Sequence, residues 1–117
     1  MQTDTFKDKV VIVTGGANGI GRCIADEFRK EGAVVYVIDK QEGEHFVGDI
    51  SKKEVLEAFA SDVLSKHNKV DVIINNALPL MKGIDECTYE EFQYALSVGV
   101  AAPFYLVKLL MPHLAEG

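Results

Sequence analysis

The sequence predicts an α/β fold built on a parallel sheet, and three observations carry that expectation. Short β-branched runs alternate with longer segments of helical periodicity from end to end. The first of those runs empties into a cluster of glycines at the head of the first helical segment. No internal repeat, low-complexity tract or linker divides the 117 residues, so residues 1–117 read as a single unit. A chain of this length buries roughly two thirds of the surface it exposes when unfolded.

The elements follow in order. Val10 to Thr14 is a continuous β-branched run of the kind buried on both faces, and Gly15, Gly16, Gly19 and Gly21 follow it. Ile20, Ile24 and Phe28 recur every four residues before Gly32, which predicts a helix over Ile20 to Glu31. Val34 to Ile38 is the second strand, ending at Asp39. Only five residues separate Asp39 from the next apolar stretch, His45 to Val47, too few for a crossover with its own helix. Ser51 and Glu54 have capping-box spacing, and Val55, Phe59 and Val63 form a stripe, so a helix is expected from Lys52 to Lys66. Val70 to Ile74 is the fourth strand. Thr88 and Glu91 repeat the capping box ahead of a long helix over 89–111, marked by Phe92, Leu96, Val100, Phe104, Val107 and Met111, which Pro103 is placed to bend.

Composition narrows the function. With 48% hydrophobic residues the chain is expected to fold. Twelve Lys and Arg against 18 Asp and Glu give a net charge of −6, with the basic residues interspersed among acids, so no footprint for nucleic acid or an anionic membrane is expected. The longest uncharged apolar run, Tyr94 to Val107, is shorter than a membrane span. The polar N-terminus, Met1 to Lys9, does not read as a secretion signal, and the cytoplasm is the expected location. Cys23 and Cys87 read as two free, buried thiols, and His45, His67 and His113 as isolated surface or capping residues; no metal site is expected.

Thr14-Gly15-Gly16-Ala17-Asn18-Gly19-Ile20-Gly21 sets glycines at 15, 19 and 21 between a strand and a helix. Glycine permits the tight turn and lets backbone N–H groups approach a pyrophosphate, while the helix N-terminus adds partial positive charge. Asp39, 18 residues past Gly21 at the end of the second strand, is placed to accept hydrogen bonds from an adenosine ribose, and would repel a 2′-phosphate. Dinucleotide binding is the expected function, with NAD favoured over NADP.

The motif at 14–21, Asp49-Ile50 after the third strand, and Asn75-Asn76-Ala77 after the fourth together resemble the N-terminal, cofactor-binding half of a short-chain dehydrogenase/reductase. That resemblance implies a Rossmann-like, doubly wound parallel sheet, incomplete at about four strands in the order 3-2-1-4. It places the pyrophosphate at Gly15, Asn18, Gly19, Ile20 and Gly21, the ribose at Asp39, the adenine edge at Asp49 with Ile50 beside it, and the nicotinamide ribose at Asn76 and Ala77. It also implies a homo-oligomer paired through the long helix. Two positions depart from the family pattern: Leu78 stands where the family has glycine, and Gly99 where it has the asparagine of a water relay.

Hydride transfer to a carbonyl carbon needs a proton donor for the oxygen. By resemblance the family's catalytic Ser, Tyr and Lys would all fall beyond Gly117, and none of Tyr36, Tyr89, Tyr94 and Tyr105 is assigned that role; Tyr105 reads as a packing residue. The expectation is therefore an NAD-dependent oxidoreductase acting on an alcohol or carbonyl, represented by its cofactor-binding half and inactive in these 117 residues alone. The alternative is a non-enzymatic dinucleotide-binding or scaffold protein, motivated by Leu78, Gly99 and the missing catalytic residues.

Overall fold

In the computed structural model, residues 5–79 and 82–115 are described. The strands are β1 (Val10–Thr14), β2 (Val34–Asp39), β3 (Phe46–Val47) and β4 (Val72–Asn75). The helices are α1 (Gly19–Lys30), α2 (Lys53–Leu64), α3 (Tyr89–Leu96) and α4 (Ala102–Leu110). All pairings between strands are parallel, in the order β3-β2-β1-β4. The expected fold and strand order are both present.

β1 lies at the centre, and all five of its residues are buried because both of its faces are covered. Val11 and Val13 pack with Ala25 of α1 and Val37 of β2 on one side. Val10 and Ile12 pack with Ile38, Phe59 of α2 and Leu106 of α4 on the other. The period of two along a strand thus sends alternate residues of one apolar run into two separate cores. No helix separates β2 from β3, as the short spacing predicts, and β3 pairs only with Ile38 and Asp39.

Several local expectations are corrected. Ser51 does not cap α2: its N–H donates to Asp49 Oδ1 at 2.9 Å in a tight turn, and the helix begins one residue later, with Lys52 at the cap position and no side-chain cap. Val70 precedes β4 rather than opening it. The Asp71 carboxylate takes the Val10 N–H at 2.8 Å in place of a backbone acceptor, which interrupts the ladder. Val70 pairs instead with Leu114 in an isolated parallel bridge. Cys23 is exposed and Cys87 only partly covered, because Cys23 lies on a face of α1 away from the sheet.

The capping box at Thr88 is complete: its hydroxyl accepts from Glu91 N–H at 3.1 Å, and Glu91 accepts from Thr88 N–H at 3.0 Å. Between α3 and α4 lies a π-helical stretch, Ser97–Ala101. It ends just before Pro103, which lacks the N–H to continue an ordinary ladder, and the widened turn takes up the mismatch. The helical stretch Tyr89–His113 spans 25 residues, with a mean hydropathy of 1.6 in its most apolar window, long and apolar enough by those measures to cross a membrane. Its inner face, however, belongs to the core through Ala95, Val98, Ala102, Leu106 and Leu110. The stripe of larger residues read from the sequence is mostly the other face: Phe92, Leu96, Val100, Phe104 and Met111 are exposed, and Val107 is half-buried.

Candidate functional site

The C-terminal ends of β1, β2 and β4 open onto one cleft of about 690 Å³, roofed by α3. This is where a doubly wound sheet places its ligands. β1 delivers the chain into the glycine loop, whose first N–H, that of Gly15, donates to Ile38 O at 2.8 Å. Gly15 and Gly19 both have positive φ, 68° and 61°. A Cβ on Gly19 would meet no atom within 4 Å, so the loop is uncovered at that point. At Gly21 the reverse holds: a Cβ there would collide with the Asn76 amide and the Gly15 carbonyl.

α1 begins without help from its own sequence. Asn18 at its cap position makes no capping hydrogen bond, and its first turn holds no acidic side chain. The first N–H groups of a helix have no partner within it, so this end of α1 is left to an outside acceptor, as an anion site requires. The Asn18 amide instead donates to Gln41 Oε1 at 2.7 Å, closing a clasp between the glycine loop and the segment after β2. Asp39 lies at the base of that clasp, where Oδ2 accepts from Ala17 N–H at 3.1 Å and Oδ1 from Gln41 N–H at 3.0 Å.

On the far side of the loop, the buried Thr14 hydroxyl accepts from the N–H groups of Asn76 and Ala77, both at 3.1 Å. The Asn76 amide donates to Gly15 O at 3.1 Å. Asn76 therefore braces the glycine loop from β4, whereas Asn75 ends the strand with an exposed side chain. Leu78 is exposed and lines the cleft. Among described non-glycine residues only Asp8 has positive φ, so the chain passes Leu78 in an ordinary backbone conformation. Gly99 lies in the π-helical stretch, and a Cβ there would stand 3.6 Å from the Pro79 ring.

A second acidic side chain comes from beyond the loop. Asp49 accepts from Ser51 N–H and from the Tyr94 hydroxyl, which stands 3.2 and 3.3 Å from its two oxygens. Lys40 Nζ donates to the Tyr94 oxygen at 3.4 Å and lies 5.5 Å from the ring centre. Burial pulls the Asp49 carboxyl upward, but the Ser51 backbone and side chain, the Tyr94 hydroxyl and the Lys40 charge outweigh it and hold the group below its ordinary value.

The structure thus brings every residue read as a binding candidate to one cleft: Gly15, Asn18, Ile20, Gly21, Asp39, Ile50, Asn76 and Ala77 line it, and Gly19 and Asp49 sit between lining neighbours. Three residues that shape the site were not read from the sequence. Gln41 and Thr14 act through hydrogen bonds that only the fold creates. Tyr94 carries a fainter signal, since Glu90, Tyr94 and Val98 recur every four residues and all face the cleft.

One Tyr-x-x-x-Lys spacing does occur, Tyr36 to Lys40. On a strand, residues four apart are separated along the chain rather than stacked as on a helix, and the two side chains part. Tyr36 hydrogen-bonds His67 Nε2 at 2.7 Å, while Lys40 turns to Tyr94. Tyr105, besides packing against the core, donates to Glu57 Oε2 at 2.6 Å, and that bond, with lesser help from burial and the Glu57 charge, raises its pKa. No group of three or more His, Cys, Asp or Glu that could hold a metal occurs among the described residues.

Residues 9–117 match the profile of the short chain dehydrogenases, and the chain belongs to that family. It is 33% identical to L-fucose dehydrogenase of Mus musculus over 125 residues, covering 95% of this chain and 46% of that enzyme. Among solved structures, 3-ketoacyl-(acyl-carrier-protein) reductase from Brucella melitensis, complexed with NADH, superposes with a TM-score of 0.84 at 29% identity, covering 93% of this chain and 51% of that one. L-sorbose reductase from Gluconobacter frateurii, complexed with NADPH and L-sorbose, gives 0.81 at 27% identity, covering 92% and 48%. The chain spans less than half the length of the curated relatives it matches.

Proposed function

We propose that this chain is the dinucleotide-binding portion of an NAD-dependent oxidoreductase acting on an alcohol or carbonyl. Family membership supports the oxidoreductase class and a nicotinamide dinucleotide. The preference for NAD rests on one observation: the Asp39 carboxylate is clasped against the glycine loop, and the neighbouring lysine, Lys40, is drawn away to Tyr94. A 2′-phosphate at that point would meet a fixed negative charge, whereas a ribose hydroxyl would find an acceptor.

In this reading the open face of Gly19 and the first turn of α1 hold the pyrophosphate, Asp39 the adenosine ribose, and Asn76 with Ala77 the nicotinamide ribose. Bound there, the dinucleotide supplies or accepts a hydride. Thr14 and Asn76 keep the loop at a fixed distance from β4, and Ile20 and Leu78 present apolar surface that limits water along the cleft. These 117 residues alone bind the dinucleotide without turning over substrate. A homo-oligomer through the exposed stripe of the long helix, and a cytoplasmic location, belong to the same proposal. Gly99, which cannot hold a relay water as an asparagine can, favours a second reading, a dinucleotide-binding protein without catalysis.

Titration of NADH and NADPH by cofactor fluorescence tests the main reading. Asp39→Ala is expected to weaken NADH about tenfold and NADPH less, because the lost hydrogen bonds serve the first and the lost repulsion favours the second. Equal losses for the two cofactors would remove the NAD preference. Gly19→Val is expected to abolish both without unfolding, and unchanged binding would remove the loop assignment.

A further inference from the structure

We infer that Tyr94 is a positioning residue that sets base selectivity, holding Asp49 as a fixed hydrogen-bond acceptor that admits a purine bearing an amino group and rejects one bearing a carbonyl. The inference rests on the dinucleotide reading above and adds to it a residue from outside the glycine loop and strand ends.

The geometry is a three-part bridge across the mouth of the cleft. Lys40 follows β2, Asp49 follows β3, and Tyr94 hangs from α3. Asp49 Oδ1 is already taken by Ser51 N–H at 2.9 Å. The Tyr94 hydroxyl, 3.2 and 3.3 Å from the two oxygens, fixes the plane of the carboxylate from the opposite wall and leaves Oδ2 the less committed of the pair. Lys40 decides which way that hydroxyl points. By donating to the Tyr94 oxygen from 3.4 Å, it occupies the oxygen's accepting side and directs the phenolic proton toward Asp49.

An ionised carboxylate is acceptor-only, and the same contacts hold Asp49 below its ordinary pKa. Adenine offers an amino donor to such a group. Hypoxanthine offers a carbonyl oxygen at the same position, which would face a second acceptor with no proton between them. Without the Tyr94 hydroxyl the carboxylate loses a fixing contact and can turn away from the base, so that a carbonyl there no longer faces a fixed acceptor. Discrimination then falls, while general affinity, which comes from the glycine loop, is retained.

The test is binding of NADH and of its hypoxanthine analogue, reduced nicotinamide hypoxanthine dinucleotide, followed by fluorescence for the chain and for Tyr94→Phe and Asp49→Asn. Each variant's thermal unfolding is measured alongside. The unaltered chain is expected to favour NADH by about tenfold, the worth of one hydrogen bond made or forfeited. Tyr94→Phe keeps the ring and is expected to narrow the ratio to about threefold or less, with an unfolding temperature close to that of the parent. Asp49→Asn, whose amide can both donate and accept, is expected to bring the ratio near one. An unchanged ratio in either variant overturns the inference. NADH binding with no preference over the analogue in the unaltered chain overturns it as well and leaves the dinucleotide reading in place. Failure of NADH to bind the unaltered chain overturns that reading first.

Discussion

Thr14 is a β-branched residue at the end of a buried strand, and its hydroxyl holds two backbone N–H groups of the neighbouring strand's exit. Thr14→Val preserves shape and removes both bonds, leaving two donors without a partner. The expected cost is about 1–3 kcal/mol of stability, read by urea denaturation, with weaker NADH binding because the brace between β4 and the glycine loop loosens. How far such residues can be read in advance depends on what they touch. Gly19 and Asp39 are legible because their spacing from β1 and along β2 is set by local geometry. Tyr94 is not, because its partner Asp49 stands 45 residues earlier in the chain. Tyr36 and Lys40 show the converse, a familiar spacing that the strand pulls apart.

The two capping boxes separate sequence pattern from local competition. Thr88 and Glu91 form the reciprocal pair, whereas Ser51 stands two residues after Asp49, and that carboxylate takes its N–H first. Thr88→Ala is expected to cost about 1 kcal/mol. The Lys82 contact, together with the Thr88 N–H, lowers the Glu91 pKa below its ordinary 4.5. A carboxylate depressed on folding contributes its stability fully above the unfolded value and loses it as pH falls through the folded one. The penalty of Glu91→Gln is therefore expected to be full above about pH 4.5 and to shrink on acidification below it in chemical denaturation. A penalty that stays constant to pH 3 would detach Glu91 from the cap. The long helix was only half legible for a related reason: it is apolar nearly all round, and its larger residues mark the outer face while smaller ones such as Ala95 and Ala102 meet the sheet. Periodicity finds a stripe and does not say which stripe the core has taken.

Taken whole, the molecule has a closed centre and exposed apolar flanks. β1 is covered on both faces, yet Phe104 is 65% and Val100 62% exposed along one side. A contiguous apolar stripe of that kind is a candidate association surface. Phe104→Glu is expected to shift the chain toward monomer in light scattering while leaving NADH affinity unchanged; an unaltered assembly state would take the long helix out of the interface. The parallel direction of the strands is legible because the gaps after β1 and β3 are helix-length, and the missing helix between β2 and β3 from the short gap there, whereas the order 3-2-1-4 comes from the family resemblance. The contact between Val70 and Leu114 was not, since it forms only after the chain has travelled the length of α3 and α4 and come back. That contact is a first rung beside β4. Any strand that carries on from it is threaded in the parallel direction, with its alignment chosen at one end before the rest has zipped. To slip by a single residue it would have to turn every inward side chain outward.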